Sequence, residues 1–104
     1  EAIEKFESFQ QTHPKSTLID NALFWQGMSH FSNQEWEKAI IKFEDVRNRF
    51  PEGDKAPDAA YFEALSFRKM NDSKSAKALL QDFSKKYPKS DKVPLAEKLL
   101  KELK

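Results

Sequence analysis

Few side chains in this sequence could carry out a reaction. His13 and His30 are its two histidines, cysteine is absent and glycine occurs twice. No nucleophile stands beside a base, no glycine-rich loop is present to cradle a phosphate, and no carboxylate pair lies in an apolar stretch. Two histidines on different helices, with no carboxylate pair alongside, fall short of a metal ligand set. The sequence therefore predicts no enzyme, no metal and no cofactor. What it offers is recognition chemistry. Asn21, Phe24, Met28 and Phe31 follow one another at i, i+3, i+7 and i+10, and Asp58, Tyr61, Leu65 and Arg68 repeat that spacing. Such spacing aligns each set on one helix face. Flat aromatics and methionine make large, adaptable contacts, and Arg68 offers a fork for a carboxylate. These eight residues are expected to line a groove for a protein or peptide partner. The competing expectation is that Phe24, Met28 and Leu65 are core between helices.

The elements that must position them come from a repeat. Ala39 to Pro51 (AIIKFEDVRNRFP) is preceded by Ala2 to Pro14 (AIEKFESFQQTHP) and followed by Ala76 to Pro88 (AKALLQDFSKKYP). Alanine at 2, 39 and 76 and proline at 14, 51 and 88 set a period of 37 residues without slippage. A fixed period of this length with helical spacing inside it denotes stacked helix pairs, each needing its neighbours to bury its apolar side.

Composition agrees. A chain of 104 residues, 38% hydrophobic and 34% charged, fits one ordered domain, and nine phenylalanines, two tryptophans and two tyrosines raise its burial capacity. Two glycines disfavour a turn-rich β protein. A net charge of +1 gives no electrostatic reason to expect nucleic acid or an anionic membrane. No apolar run is long enough for a membrane span, so direct insertion is not expected. Glu1 falls inside a predicted helix, so the sequence is expected to be an excised domain. Absent cysteine is compatible with either redox compartment.

Taken in order, residues 1–13 read as an amphipathic helix that stops before Pro14. Thr17, with Asp20 three residues on, is expected to cap a second helix over about 18–32. Helices follow over about 35–49, 55–70, 73–86 and 92–103, separated by Asn33-Gln34, the Pro51 loop, Asn71-Asp72 and the Pro88 loop. The expected architecture is a single all-α domain of about six antiparallel helices. It comprises a half unit (1–16), full units (17–53 and 54–90) and a capping helix (91–104). Trp25 and Trp36 are expected to pack in the core. His13 is expected to pack beside its proline, like Phe50 and Tyr87. The sign-alternating charges from Glu35 to Arg49 are expected to form a solvated face.

Within the unit, Gly27 and then Ala64 are the small residues where two helices approach, and Ala39 and Ala76 are their counterparts. Phe43, Val46, Leu80 and Phe83 are packing positions, and Pro51 and Pro88 close the units. This pattern resembles the tetratricopeptide repeat, with about three extra residues after the proline, and with Gln26 and Glu63 where leucine is usual. The segments Ala22 to Gly27, Trp36 to Ile40, Lys55-Ala56-Pro57-Asp58-Ala59 and Lys86-Tyr87-Pro88-Lys89-Ser90 are similar to the C-terminal domain of the YbgF (CpoB) family. That resemblance implies a periplasmic docking protein of the Tol-Pal system, with TolA as partner and a role in coordinating envelope constriction during cell division. It also implies that oligomerisation resides in a coiled coil outside this chain. BamD, the β-barrel assembly lipoprotein, uses similar units and is the alternative. A structural self-association module and an enzyme's helical accessory domain are further alternatives.

Overall fold

The computed structural model describes residues 14–103. They form five helices: α1 (Pro14–Ser32), α2 (Trp36–Arg49), α3 (Ala56–Lys69), α4 (Ser73–Lys86) and α5 (Val93–Glu102). The principal contacts follow chain order, α1 on α2, α2 on α3, α3 on α4 and α4 on α5. This is the all-α stack that the 37-residue period predicts. The helix expected over 1–13, and His13 with it, lie outside the described residues.

One boundary is corrected. α1 starts at Pro14, so Thr17 lies inside the helix and is no cap, and residues 14–16 belong to α1. The rule that stops a helix before proline does not stop one from beginning at proline. Its missing N–H is one the first turn leaves unpaired in any case.

The turns repeat with the sequence. Gln34 (φ 63) and Asn71 (φ 64) both take the left-handed conformation that ends a helix. Across them Glu35 N–H donates to His30 O (2.8 Å), and Asp72 N–H donates to Phe67 O (2.8 Å). Asp72 then caps α4, accepting from the Ser75 backbone N–H (3.1 Å) and hydroxyl (2.8 Å). Those bonds hold its carboxyl below the ordinary aspartate range. In the proline loops, Gly53 N–H donates to Phe50 O (2.9 Å) and Ser90 N–H to Tyr87 O (3.1 Å), again one period apart.

Two core clusters result. Leu23, Phe24, Ala39, Phe43, Val46 and Ala59 make the first, with Phe31 and Phe62 packed against it. Ala60, Ala64, Ala76, Leu80, Phe83, Ala96 and Leu99 make the second. α3 serves both through the adjacent Ala59 and Ala60. Gly27 leaves room for the Phe43 ring of α2: a Cβ there would stand 2.6 Å from Phe43 Cε1.

Two expectations about individual side chains are overturned. Trp25 is not core; it is 58% exposed, because no described helix packs on its side of α1. Trp36 is half-buried and meets Phe31 edge-on at 5.1 Å. Arg47 does not belong to a solvated face. It turns inward to grip Glu63, through Nε at 2.6 Å and Nη2 at 3.2 Å.

Candidate functional site

The eight predicted groove residues divide between α1 and α3, and the structure gives them different roles. Phe24 is 4% exposed and contributes its ring to the first core cluster. Asn21, Met28 and Phe31 are half-buried, and Phe31 sits edge-on to Phe62 at 5.5 Å. On α3, Tyr61 and Leu65 are half-buried and pack against the second cluster, with the Tyr61 ring 5.5 Å from Phe62. Asp58 and Arg68 are already engaged: Lys92 Nζ lies 3.6 Å from Asp58 Oδ1, and Arg68 Nη1 lies 3.6 Å from Glu102 Oε1.

α5 and its N-cap residue Lys92 therefore meet both charges of the α3 face. Both pairs are accessible to water, and such ion pairs contribute at most about 1 kcal/mol. A partner that supplies better-placed charges can exchange them. Sequence reasoning left out the third strip of this surface, Leu95, Lys98 and Glu102, all exposed on α5. Advancing Asp58, Tyr61 and Leu65 by one more period finds them.

The Arg47–Glu63 pair lies between α2 and α3. Glu63 is 2% exposed, and burial pushes its carboxyl above the ordinary range although the Arg47 hydrogen bonds pull it down. Arg47 in turn is held above its ordinary value: burial disfavours its charge, but the Glu63 hydrogen bond and charge outweigh that. The pair is a fork-to-carboxylate clamp, and Arg47 also borders a small cavity of about 190 Å³ beside Leu79, Asp82, Lys86 and Tyr87. A cleft of about 760 Å³ opens elsewhere, between the two proline loops, with Glu52, Asp54, Asp58 and Asp91 facing Lys86 and Lys89. Its mixed charge carries no reactive constellation.

His30 has a single carboxylate beside it, its Nδ1 lying 2.8 Å from Glu35 Oε1. That hydrogen bond holds the Glu35 carboxyl below the ordinary glutamate range. It secures the turn between α1 and α2, and among the described residues no group of three metal-ligating side chains forms around it.

Asp20 is a buried acid with Oδ1 unpartnered, lying so close to the Gly53 loop that a Cβ on Gly53 would come within 2.5 Å of Oδ2. Burial, then the charge of Asp54, raises its pKa above the ordinary 3.8, with Lys55 partly offsetting them. A raised folded-state pKa contributes stability that is complete below the unfolded value and is lost as pH rises through the folded one. Asp20→Asn is expected to flatten the stability profile just above pH 3.8, as measured by urea unfolding across that range. An unchanged slope would show that Asp20 is solvated.

The family model YfiO, described as outer membrane lipoprotein, matches residues 18–97 of the chain. No curated protein matches the chain.

Proposed function

The chain belongs to the YfiO family of outer membrane lipoproteins, and from that premise we propose that it is a protein-docking module of the bacterial envelope, working on the periplasmic side. The observation that carries this reading is the inner surface of α1, α3 and α5. There, half-buried Met28, Phe31, Tyr61 and Leu65 lie among the exchangeable Asp58–Lys92 and Arg68–Glu102 pairs. Such a strip suits a peptide segment with an apolar centre and charged flanks. The role is binding, with no catalytic step. No helix among the described residues is long and apolar enough to cross a membrane.

The family match favours a β-barrel assembly role of the BamD kind as the first identity to test. The Tol-Pal reading is second, supported by the Lys55 to Ala59 and Lys86 to Ser90 segments, and would make TolA the partner. Calorimetric titration with soluble segments of TolA, and separately with soluble domains of assembly components, tests both. Saturable binding is expected from one of them, and Arg68→Glu is expected to weaken it about tenfold by reversing a charge at the strip. Folding should be nearly unaffected, since Arg68 is exposed and its ion pair is solvated. Tyr61→Ala is a less clean probe, because Tyr61 also packs on the core. Full binding by Arg68→Glu would move the docking surface elsewhere.

A further inference from the structure

α3 and α4 repeat α1 and α2 one period on, and their exceptions gather in one place. Leu23 of α1 gives way to Ala60 of α3, and Ile41 of α2 gives way to Ala78 of α4. Both exchanges remove bulk. Between α2, α3 and α4 they leave the cavity of about 190 Å³, with Ala60, Leu79 and Phe83 on its walls and exposed Ala78 at its rim. No residue of the α1, α3 and α5 strip borders it.

The polar groups around it are equally particular to this interface. Arg47 gives way to Ser84 one period on, and Tyr87 carries a hydroxyl that Phe50 lacks. A guanidinium has five N–H donors. Glu63 takes the one on Nε and one on Nη2, so the edge shared by Nη1 and Nη2 bonds no described group. That edge has the same fork geometry as the one already in use. The Tyr87 hydroxyl likewise has no hydrogen bond among the described residues, and burial holds its pKa above the ordinary 10.0, so it remains a donor. Lys86 adds an exposed cation at the rim, and Asp82 an exposed anion.

We propose that this cavity binds a small monocarboxylic acid, its carboxylate held by the free edge of Arg47 and the Tyr87 hydroxyl, and its apolar body held by Ala60, Leu79 and Phe83. Size and charge narrow the class. The volume is below the roughly 300 Å³ at which pockets for drug-sized ligands begin, so a short branched body fits and a long chain does not. Glu63 offsets the charge of Arg47, and Asp82 that of Lys86. The site therefore offers directed donors without a surplus of positive charge, which suits a monoanion and disfavours phosphate.

Titration of the isotope-labelled chain with sodium isovalerate, followed by two-dimensional NMR, tests this. Amide signals of residues 78–87 are expected to shift and saturate with a Kd of about millimolar, as suits a ligand of so few atoms. Isovaleramide, the neutral isostere, should bind about tenfold more weakly, because it cannot form charge-assisted bonds. Tyr87→Phe removes only the hydroxyl and should weaken isovalerate about tenfold. Ala78→Ile restores at the rim the residue of the preceding copy. Since Ala78 is exposed, that variant should keep its fold and lose the saturable shift. Arg68→Glu, on the docking strip, should leave the titration unchanged, so this proposal and the docking reading fail separately.

Shifts still unsaturated at about tenfold the expected Kd would overturn the proposal. So would equal binding of the amide, undiminished binding by Ala78→Ile, or competition by inorganic phosphate, which would mark a general anion patch. Tighter binding of glutamate with its amino group acetylated and its α-carboxyl amidated would assign the carboxylate to a peptide side chain, and would overturn the free-acid reading.

Discussion

Arg47→Ala is expected to destabilise the domain by about 3 to 5 kcal/mol in urea unfolding, the range for removing one partner of a buried ion pair. Glu63 is 2% exposed and receives two hydrogen bonds from the guanidinium. Without Arg47 the carboxyl keeps its burial and loses both donors. Burial then acts unopposed and lifts the folded-state pKa of Glu63 further above its ordinary range. The sign follows: the variant should lose stability as pH rises through that raised value and recover part of it on acidification. Replacing both partners, Arg47→Met with Glu63→Leu, is expected to be neutral or stabilising, because two desolvation costs disappear together. At the next interface of the stack the same registers hold Ser84 and Leu100, with no ion pair between them. A loss below about 1 kcal/mol for Arg47→Ala would place the pair among solvated surface bridges.

Phe43→Ala is expected to cost about 3 to 5 kcal/mol, the range for emptying a fully buried aromatic site. The ring lies 5.9 Å from Phe24 and 6.1 Å from Phe62, centroid to centroid, so its removal opens a void that both helices flanking α2 share. Gly27 is the other half of the contact. Gly27→Val is expected to lose about 1 to 3 kcal/mol by overpacking, since even a Cβ would press on the ring at 2.6 Å. Combining Gly27→Ala with Phe43→Leu should recover part of the separate losses, with a coupling of about 0.5 to 3 kcal/mol in a double-mutant cycle. Additive losses would mean that the two residues do not share a contact.

The 37-residue period made most of this architecture readable before any coordinates. α4 falls where the spacing predicts, and α2, α3 and α5 fall within a residue or so at each end. The small-residue positions are buried because helix approach there leaves no room for more. The repeat could not show which copies depart from the pattern, since periodicity describes what units share. Arg47 sits in a run of alternating charge, and its partner is on the next helix, 16 residues on. The clue was Glu63 itself: an acid where leucine is usual requires a cation from the adjacent helix. Trp25 misled for the reverse reason, because its type implies burial while burial depends on the neighbouring element. Within the proposed groove, spacing could only group the eight residues by helix face. It could not separate Phe24, deep in the core, from half-buried Met28 and Phe31, nor foresee that α5 and its cap Lys92 would engage Arg68 and Asp58.

The chain-order packing has a mechanical consequence. Where each helix leans mainly on the one before and the one after, a small rotation at every contact adds along the stack. The domain should therefore behave as a short spring whose ends yield while its joints stay intact. At the α2–α3 contact the Arg47 fork resists both sliding and twisting. Under tension, such a coil would lengthen at its softer α4–α5 end first and spare the centre.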